Sequence, residues 1–297
     1  MLGTMKLAIV VDSSCGLTKA QATQRGWHFL PLMITIDGKE YADGIDLTAQ
    51  SFAKIYRSDS VASTSFTPIG YTIELLQKLA NENDFVVVYP ISQYLSSQME
   101  NLEVIAKDYT NVLVVKSKRV AQLIVKDLVE LEASVLANEL TVRQAVERIE
   151  SQNYHVPEIL LIPETMNALV KGGRLSPSAA KMAKLLKIVP VIAFQDGKLE
   201  KYTKGRIFFK VVVNAAVTLY HKLHGRDRHL TMMFLDMQNS NADNLFLQIR
   251  TELEYSDPPI RFAIPPVIAI HTGFGAVCVF ITKLERDVKD YQFDKIS

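Results

Sequence analysis

The sequence predicts an α/β protein of two domains, the first on a mostly parallel sheet flanked by helices and the second on a mixed α/β arrangement. Three observations lead there. Short apolar runs at residues 7–11, 85–89 and 112–115 are each followed by a helical pattern, the order that builds parallel sheets. Asp-Gly pairs at 37–38 and 196–197 lie between strand-like runs and mark hairpins, so antiparallel pairing enters too. At 297 residues the chain exceeds what one hydrophobic core usually serves.

The balance of 33 Lys and Arg against 32 Asp and Glu leaves a formal charge of +1, so there is no electrostatic footprint for nucleic acid. Cys15 and Cys278 stand far apart without a CxxC pair, which argues against both a zinc site and a disulfide framework. Reduced thiols and a cytoplasmic location are expected. The first apolar run is short and leads straight into polar residues, unlike a secretory leader. No later run reaches the ~18 residues of a membrane span.

In order along the chain, residues 7–11 read as a buried strand ending at Asp12-Ser13. Polar groups at that strand's carboxyl end sit where open α/β sheets place ligands, although the same pair can simply tie down a turn. Thr18 and Gln21 have capping-box spacing for a helix to about residue 25. Residues 29–36 read as one strand, returned by Asp37-Gly38 through 39–41, and Thr48 can cap a helix through 56. Residues 62–68, Ala-Ser-Thr-Ser-Phe-Thr-Pro, read as a hydroxyl-rich loop that Thr67 and Pro68 close onto a helix over 69–80. Its adjacent hydroxyls could bind a carboxylate or phosphate, or be solvated caps. Strand 85–89 enters a second hydroxyl loop, where Ser97 and Glu100 repeat the box for a helix to about 107. Strand 112–115, a helix over 120–137 and a helix over 142–152 boxed by Thr141 and Gln144 complete a domain over residues 1–155. The polar linker 151–157 marks the boundary to a second domain over 156–297.

That domain opens with strand 158–162 and a short helix over 166–170. Lys171-Gly172-Gly173-Arg174-Leu175-Ser176-Pro177 follows. Its paired glycines allow positive φ, so Arg174 can be presented at a surface or cleft mouth, or be a solvated arginine in a plain turn. Ser176 reads as an N-cap and Pro177 as the first residue of a helix to about 187. Strands 188–194 and 198–203 flank Asp196-Gly197, and residues 208–223 carry a helical apolar face. His221, His224 and His229 follow with Arg226 and Arg228 interleaved, a basic turn rather than a metal site. Strand 230–235, helix 242–256 and strand 267–270 lead into His271-Thr272-Gly273-Phe274-Gly275, and strand 276–281 follows. An imidazole at a strand end, with a hydroxyl and exposed backbone N–H groups, can donate to an anionic oxygen. A dinucleotide fingerprint, a P-loop and a GxSxG elbow are all missing.

Taken together, Asp12-Ser13, Leu30-Pro31-Leu32 through Tyr41-Ala42-Asp43-Gly44, Thr64-Ser65, Lys171 to Ser176, Asp196-Gly197-Lys198 and His271-Thr272-Gly273 occur in the order of the DegV family, which the chain resembles over nearly its whole length. The resemblance implies a bacterial, two-domain α/β protein that holds one long-chain fatty acid in a tunnel between its domains. It further implies a lipid-binding carrier subunit of a fatty acid kinase, with no activity alone and no cofactor or metal. A separate ATP-dependent kinase subunit turns the bound acid into an acyl phosphate, and transient contact with a membrane surface would serve lipid exchange. On the family's pattern Thr64, Ser65, Ser92, Gln93, His271 and Thr272 surround the carboxylate, Arg174 and Arg206 meet the kinase or phosphate, and Asp12, Ser13, Gly172, Gly173 and Gly273 support these loops.

Departures from the pattern concentrate in residues 92–98, Ser-Gln-Tyr-Leu-Ser-Ser-Gln. Gln93 stands where the family has a carboxylate-binding serine, and Tyr94 and Ser97 replace glycines. Phe66 replaces a common glutamine, Lys116 an aspartate and Val189 a lysine. The alternative implied is a divergent member binding another lipid or anionic ligand, or acting only through protein-protein contact.

Overall fold

The computed structural model describes residues 5–152, 156–184, 187–224, 230–258 and 260–293. Two compact units form. One comprises Met1–Phe52, Ser60–Asn153 and Pro265–Val267, and the other Ala53–Asp59, Tyr154–Ile264 and Ile268–Ser297. Arg226, Arg228 and His229 of the basic turn lie outside the described residues.

Through residue 151 the elements are β1 (Leu7–Asp12), α1 (Lys19–Gln24), β2 (His28–Leu30), β3 (Met33–Ile36), β4 (Lys39–Ala42), α2 (Ala49–Ile55), β5 (Ala62–Ser65), α3 (Ile69–Glu82), β6 (Phe85–Tyr89), α4 (Gln98–Ala106), β7 (Val112–Val114), α5 (Gln122–Leu136) and α6 (Val142–Ser151). A four-stranded sheet in the order β2-β1-β6-β7 is parallel throughout. Its strands read as unbroken apolar runs because both faces are covered. Val10, Val86 and Val88 are fully buried, and Leu76 and Leu79 of α3 pack on them. Each such side chain contributes ~1.5–3 kcal/mol relative to exposure.

The local signals act as expected at several ends. Thr18 with Gln21 and Thr141 with Gln144 both close full capping boxes. Asp37 and Gly38 take φ of 49° and 82°, the two positive values a type I′ turn needs. Other readings are corrected. The expected strand 29–36 divides at Pro31, which has no N–H for a ladder: His28–Leu30 pairs with β1, whereas Met33–Ile36 joins a separate antiparallel sheet in the order β4-β3-β5. Residues 62–65 are a strand of that sheet rather than a loop, with Thr64 opposite Ile34. Thr67 does not cap α3; its hydroxyl accepts from Gln98 Nε2 at 2.9 Å. Ser97 forms no capping box, because its ψ of 6° is far from the extended backbone that aims an N-cap hydroxyl.

The second part holds β8 (Ile159–Ile162), α7 (Asn167–Gly172), α8 (Pro177–Ala180), β9 (Val189–Gln195), β10 (Lys198–Gly205), α9 (Phe208–His224), β11 (Leu230–Asp236), α10 (Ala242–Glu252), β12 (Ile260–Ala263), α11 (Pro266–Thr272) and β13 (Val277–Lys283). Six strands lie in the order β10-β9-β8-β13-β11-β12, antiparallel except for the β11–β12 pair. Leu160, Val191, Phe234 and Val279 centre its core, with Val212, Ala216 and Leu219 of α9 against them. Ser176 caps α8 through the Ala179 N–H, with proline at its start. That helix is one turn long and passes into a 3-10 turn at Lys181–Lys184, shorter than expected. The largest correction concerns residues 267–270, which are helical within α11, while the strand before them, β12, had no clear sequence signal.

Candidate functional site

In the first unit the turn after β1 works as a hub. Asp12 caps a short 3-10 turn at Ser13–Cys15 through the Ser14 N–H, and its other carboxylate oxygen accepts from the Ile91 N–H at 2.7 Å. Ser13 Oγ accepts from the Leu32 N–H at 3.1 Å. The end of β1 is thereby tied to the loop after β6, which carries Ser92 and Gln93, and to the residue before β3, whose partner β5 carries Thr64 and Ser65. Asp12 and Ser13 are buried. Burial pushes the Asp12 carboxyl up to about 6, against the lowering effect of the Ser14 and Ile91 hydrogen bonds.

Ser92 is fully buried, and its hydroxyl accepts from the Tyr94 N–H at 3.3 Å. The backbone N–H groups of Ser92 and Gln93 donate to the carbonyls of Arg119 and Ser117 at 2.8 and 3.0 Å. Arg119 is itself held by Asp127, Nε to Oδ2 at 3.1 Å, and the same oxygen accepts from Tyr89 Oη at 2.7 Å. Lys126 bridges Asp127 and Glu130. This buried charge network, which sequence reading missed, fixes the loop carrying two of the expected ligands. Thr64 is half-buried and Ser65 exposed on β5.

In the second unit Gly172 ends α7 and Gly173 closes it in the left-handed region with φ of 68°. Only Gly173 needs the positive φ expected of the pair. Gly172 answers to a different constraint, since a Cβ there would lie 2.6 Å from His271 Nδ1. Ring and glycine are thus in direct contact across 99 residues of sequence. Arg174 is exposed and donates from Nη1 to the Gly172 carbonyl. The following residues are pinned to β10, with the Ser176 N–H on the Leu199 carbonyl at 3.1 Å and Ser176 Oγ on Glu200 at 2.7 Å.

His271 sits in the last turn of α11, not at a strand end. Burial, with the neighbouring Arg174 cation second, holds its pKa down to about 4, so the imidazole is neutral at pH 7. The backbone donors expected after it are taken: Gly273 N–H binds the Ala269 carbonyl and Gly275 N–H that of Met237. Thr272 Oγ1 is buried and makes no hydrogen bond among the described residues. Gly273 has φ of 79°, and a Cβ on it would press on Ala168 at 3.2 Å. A neutral imidazole can donate one hydrogen bond to an anionic oxygen while the arginine fork supplies charge. The structure thus brings Gly172, Gly173, Arg174, His271, Thr272 and Gly273 together. Arg206 is exposed between β10 and α9.

Asp43 is a second residue that sequence reading gave no role. It is buried, and burial pushes it up to about 7, opposed by the Ser13 hydroxyl and the Val267 and Gly44 N–H groups, which approach the carboxylate without reaching good hydrogen-bond geometry, while the Asp12 charge adds to the rise. No cluster of three metal-ligating side chains exists among the described residues. Burial raises both cysteine thiols, Cys278 to about 12, so neither is a ready nucleophile. No described helix is long and apolar enough to cross a membrane.

Comparison with known proteins places these features in a family. Residues 6–284 match the family described as "Uncharacterised protein, DegV family". A DegV domain-containing protein of Mycoplasmopsis pulmonis is 42% identical over 290 residues, covering 96% of this chain and 98% of that protein. Among solved structures, a fatty acid binding DegV family protein from Streptococcus agalactiae is 25% identical with a TM-score of 0.78, over 94% of this chain and 99% of that one. A DegV family protein from Thermus thermophilus, whose structure is described for its fatty acid binding, has a TM-score of 0.80 at 19% identity, over 94% and 100%.

Proposed function

The chain belongs to the DegV family, and on that premise we propose that it binds one long-chain fatty acid and presents the carboxylate to a separate ATP-dependent kinase. One observation carries the reading: the neutral imidazole of His271, seated on Gly172 and flanked by Arg174. The fatty acid binding named for the Streptococcus agalactiae relative supports it.

Energetically the acyl chain dominates. Burial contributes about 0.8 kcal/mol per methylene, so roughly fifteen carbons supply ~10 kcal/mol gross. A head-group hydrogen bond adds only ~1–3 kcal/mol. The residues proposed for the head group, Thr64, Ser65, Ser92, Gln93, His271 and Thr272, therefore have the task of orienting a carboxylate more than of holding the lipid. In the transfer step a carboxylate oxygen attacks the terminal phosphorus of ATP and ADP departs, leaving an acyl phosphate. The kinase supplies that chemistry. Arg174, exposed beside the imidazole, stabilises the charge that builds up or engages the kinase, and Arg206 extends that contact.

The test supplies purified protein with palmitate, the cognate kinase and ATP, and traps acyl phosphate as a hydroxamate with hydroxylamine. Hydroxamate that forms only when this chain is present supports the proposal; a chain that takes up no lipid from any offered fatty acid rules it out. A second reading has Gln93 and Tyr94 in its favour: the loop that departs from the family would favour another anionic lipid, and a competing lipid in the same uptake assay would reveal it.

A further inference from the structure

The end of β10 and the first turns of α9 enclose an open groove of about 540 Å³, lined by Lys204, Arg206 and Lys210 and by no carboxylate. Gly205 lies on its wall, where a Cβ would lie 2.2 Å from Val211 Cγ2, so the strand end packs directly on the helix. None of the three cations makes an ion pair or hydrogen bond among the described residues. The first turn of α9 carries no acidic residue either, which leaves the positive end of the helix dipole uncompensated on the same side. Three like charges and a dipole converging on one groove raise its potential and draw in anions. Tyr202 and Ile207 add apolar surface, and Asn214 adds an amide, to the same walls.

We propose that this groove binds a phosphate monoester bearing an apolar body. A dianion with three acceptor oxygens matches an arginine fork and two ammonium groups better than a carboxylate does. The volume exceeds that of a lone phosphate and lies in the ~300–1,000 Å³ range of small-molecule sites, so a body larger than the phosphate has room against Tyr202 and Ile207. The proposal shares Arg206 with the lipid reading but needs no fatty acid, so each can fail without the other.

The full chain is titrated with octyl phosphate, AMP and inorganic phosphate by calorimetry. Octyl phosphate or AMP binds at least tenfold more tightly than inorganic phosphate, and the tighter of the two names the source of the body. A Lys204→Gln, Arg206→Gln, Lys210→Gln protein loses tenfold or more of that affinity, while its unfolding midpoint is unchanged. Palmitate uptake by the Lys204→Gln, Lys210→Gln protein stays at the wild-type level, which separates this groove from lipid binding. Absence of saturable binding below about 10 mM, or equal affinity in the triple variant, overturns the proposal.

Discussion

Replacing Gly172 with alanine drives a methyl group into the His271 ring. The added Cβ would lie 2.6 Å from Nδ1, whereas ordinary contact begins near 3.4 Å. The imidazole must therefore retreat by about 0.8 Å, the difference between those two distances. Gly172 is in helical backbone without positive φ, so alanine is otherwise favoured there by ~0.5–1 kcal/mol. Overpacking costs ~1–3 kcal/mol, which leaves a net loss of stability of about 0–2.5 kcal/mol. The larger effect falls on the imidazole's hydrogen bond. Losing ~1–3 kcal/mol of head-group binding weakens fatty acid affinity roughly 5- to 150-fold, while acyl-chain burial persists. Gly173→Ala is the control: nothing lies within 4 Å of its Cβ position, so its φ of 68° costs stability, ~1–2 kcal/mol, without moving His271. Imidazole resonances by NMR and fatty acid titration by calorimetry read both variants. A Gly172→Ala protein with unshifted His271 resonances and wild-type affinity would refute the argument.

Other expectations follow the same geometry. His271→Ala removes the same hydrogen bond and weakens fatty acid binding over the same range, roughly 5- to 150-fold, while Arg174→Ala spares binding and cuts phosphorylation by the kinase; an Arg174→Ala protein phosphorylated at the normal rate removes that role. Arg119→Ala leaves Asp127 buried beside Tyr89 with its main counter-charge gone, and unfolding in urea should show a loss of ~3–5 kcal/mol; a loss under 1 kcal/mol would mean the network does not anchor the Ser92–Gln93 loop. Asp12 and Asp43 titrate at about 6 and about 7 in the folded chain, above the ordinary carboxylate. The folded state binds these protons more tightly, so their contribution to stability is complete below about pH 4 and lost as pH rises through 6 to 7. Asp43→Asn should flatten the decline in urea stability between about pH 4 and 7, and an unchanged slope would show that Asp43 is not its source.

What the sequence revealed was local. Thr18 with Gln21, Thr141 with Gln144, Asp37-Gly38 and Asp196-Gly197 each encode their own turn or cap within four residues, and each forms. Residues 62–65 and 267–270 were misread because their conformation is decided elsewhere. Thr64 becomes a strand residue by pairing with Ile34, and Pro266 at the head of α11 was the one cue that Val267 to Ile270 is helical. The Gly172–His271 contact links residues 99 apart, and the Tyr89–Asp127 bond is visible only once β6 and α5 are packed. Motif order named Gly172 as a supporting glycine, but not the contact by which it seats the imidazole.

Mass spectrometry of an organic extract from the purified, denatured protein tests lipid binding most directly. A long-chain fatty acid at close to one molecule per chain is the expected result, identified at once by its mass. An empty extract, followed by failure to load added palmitate or oleate, would contradict it and turn attention to the ligand preference of the Ser92–Gln98 loop.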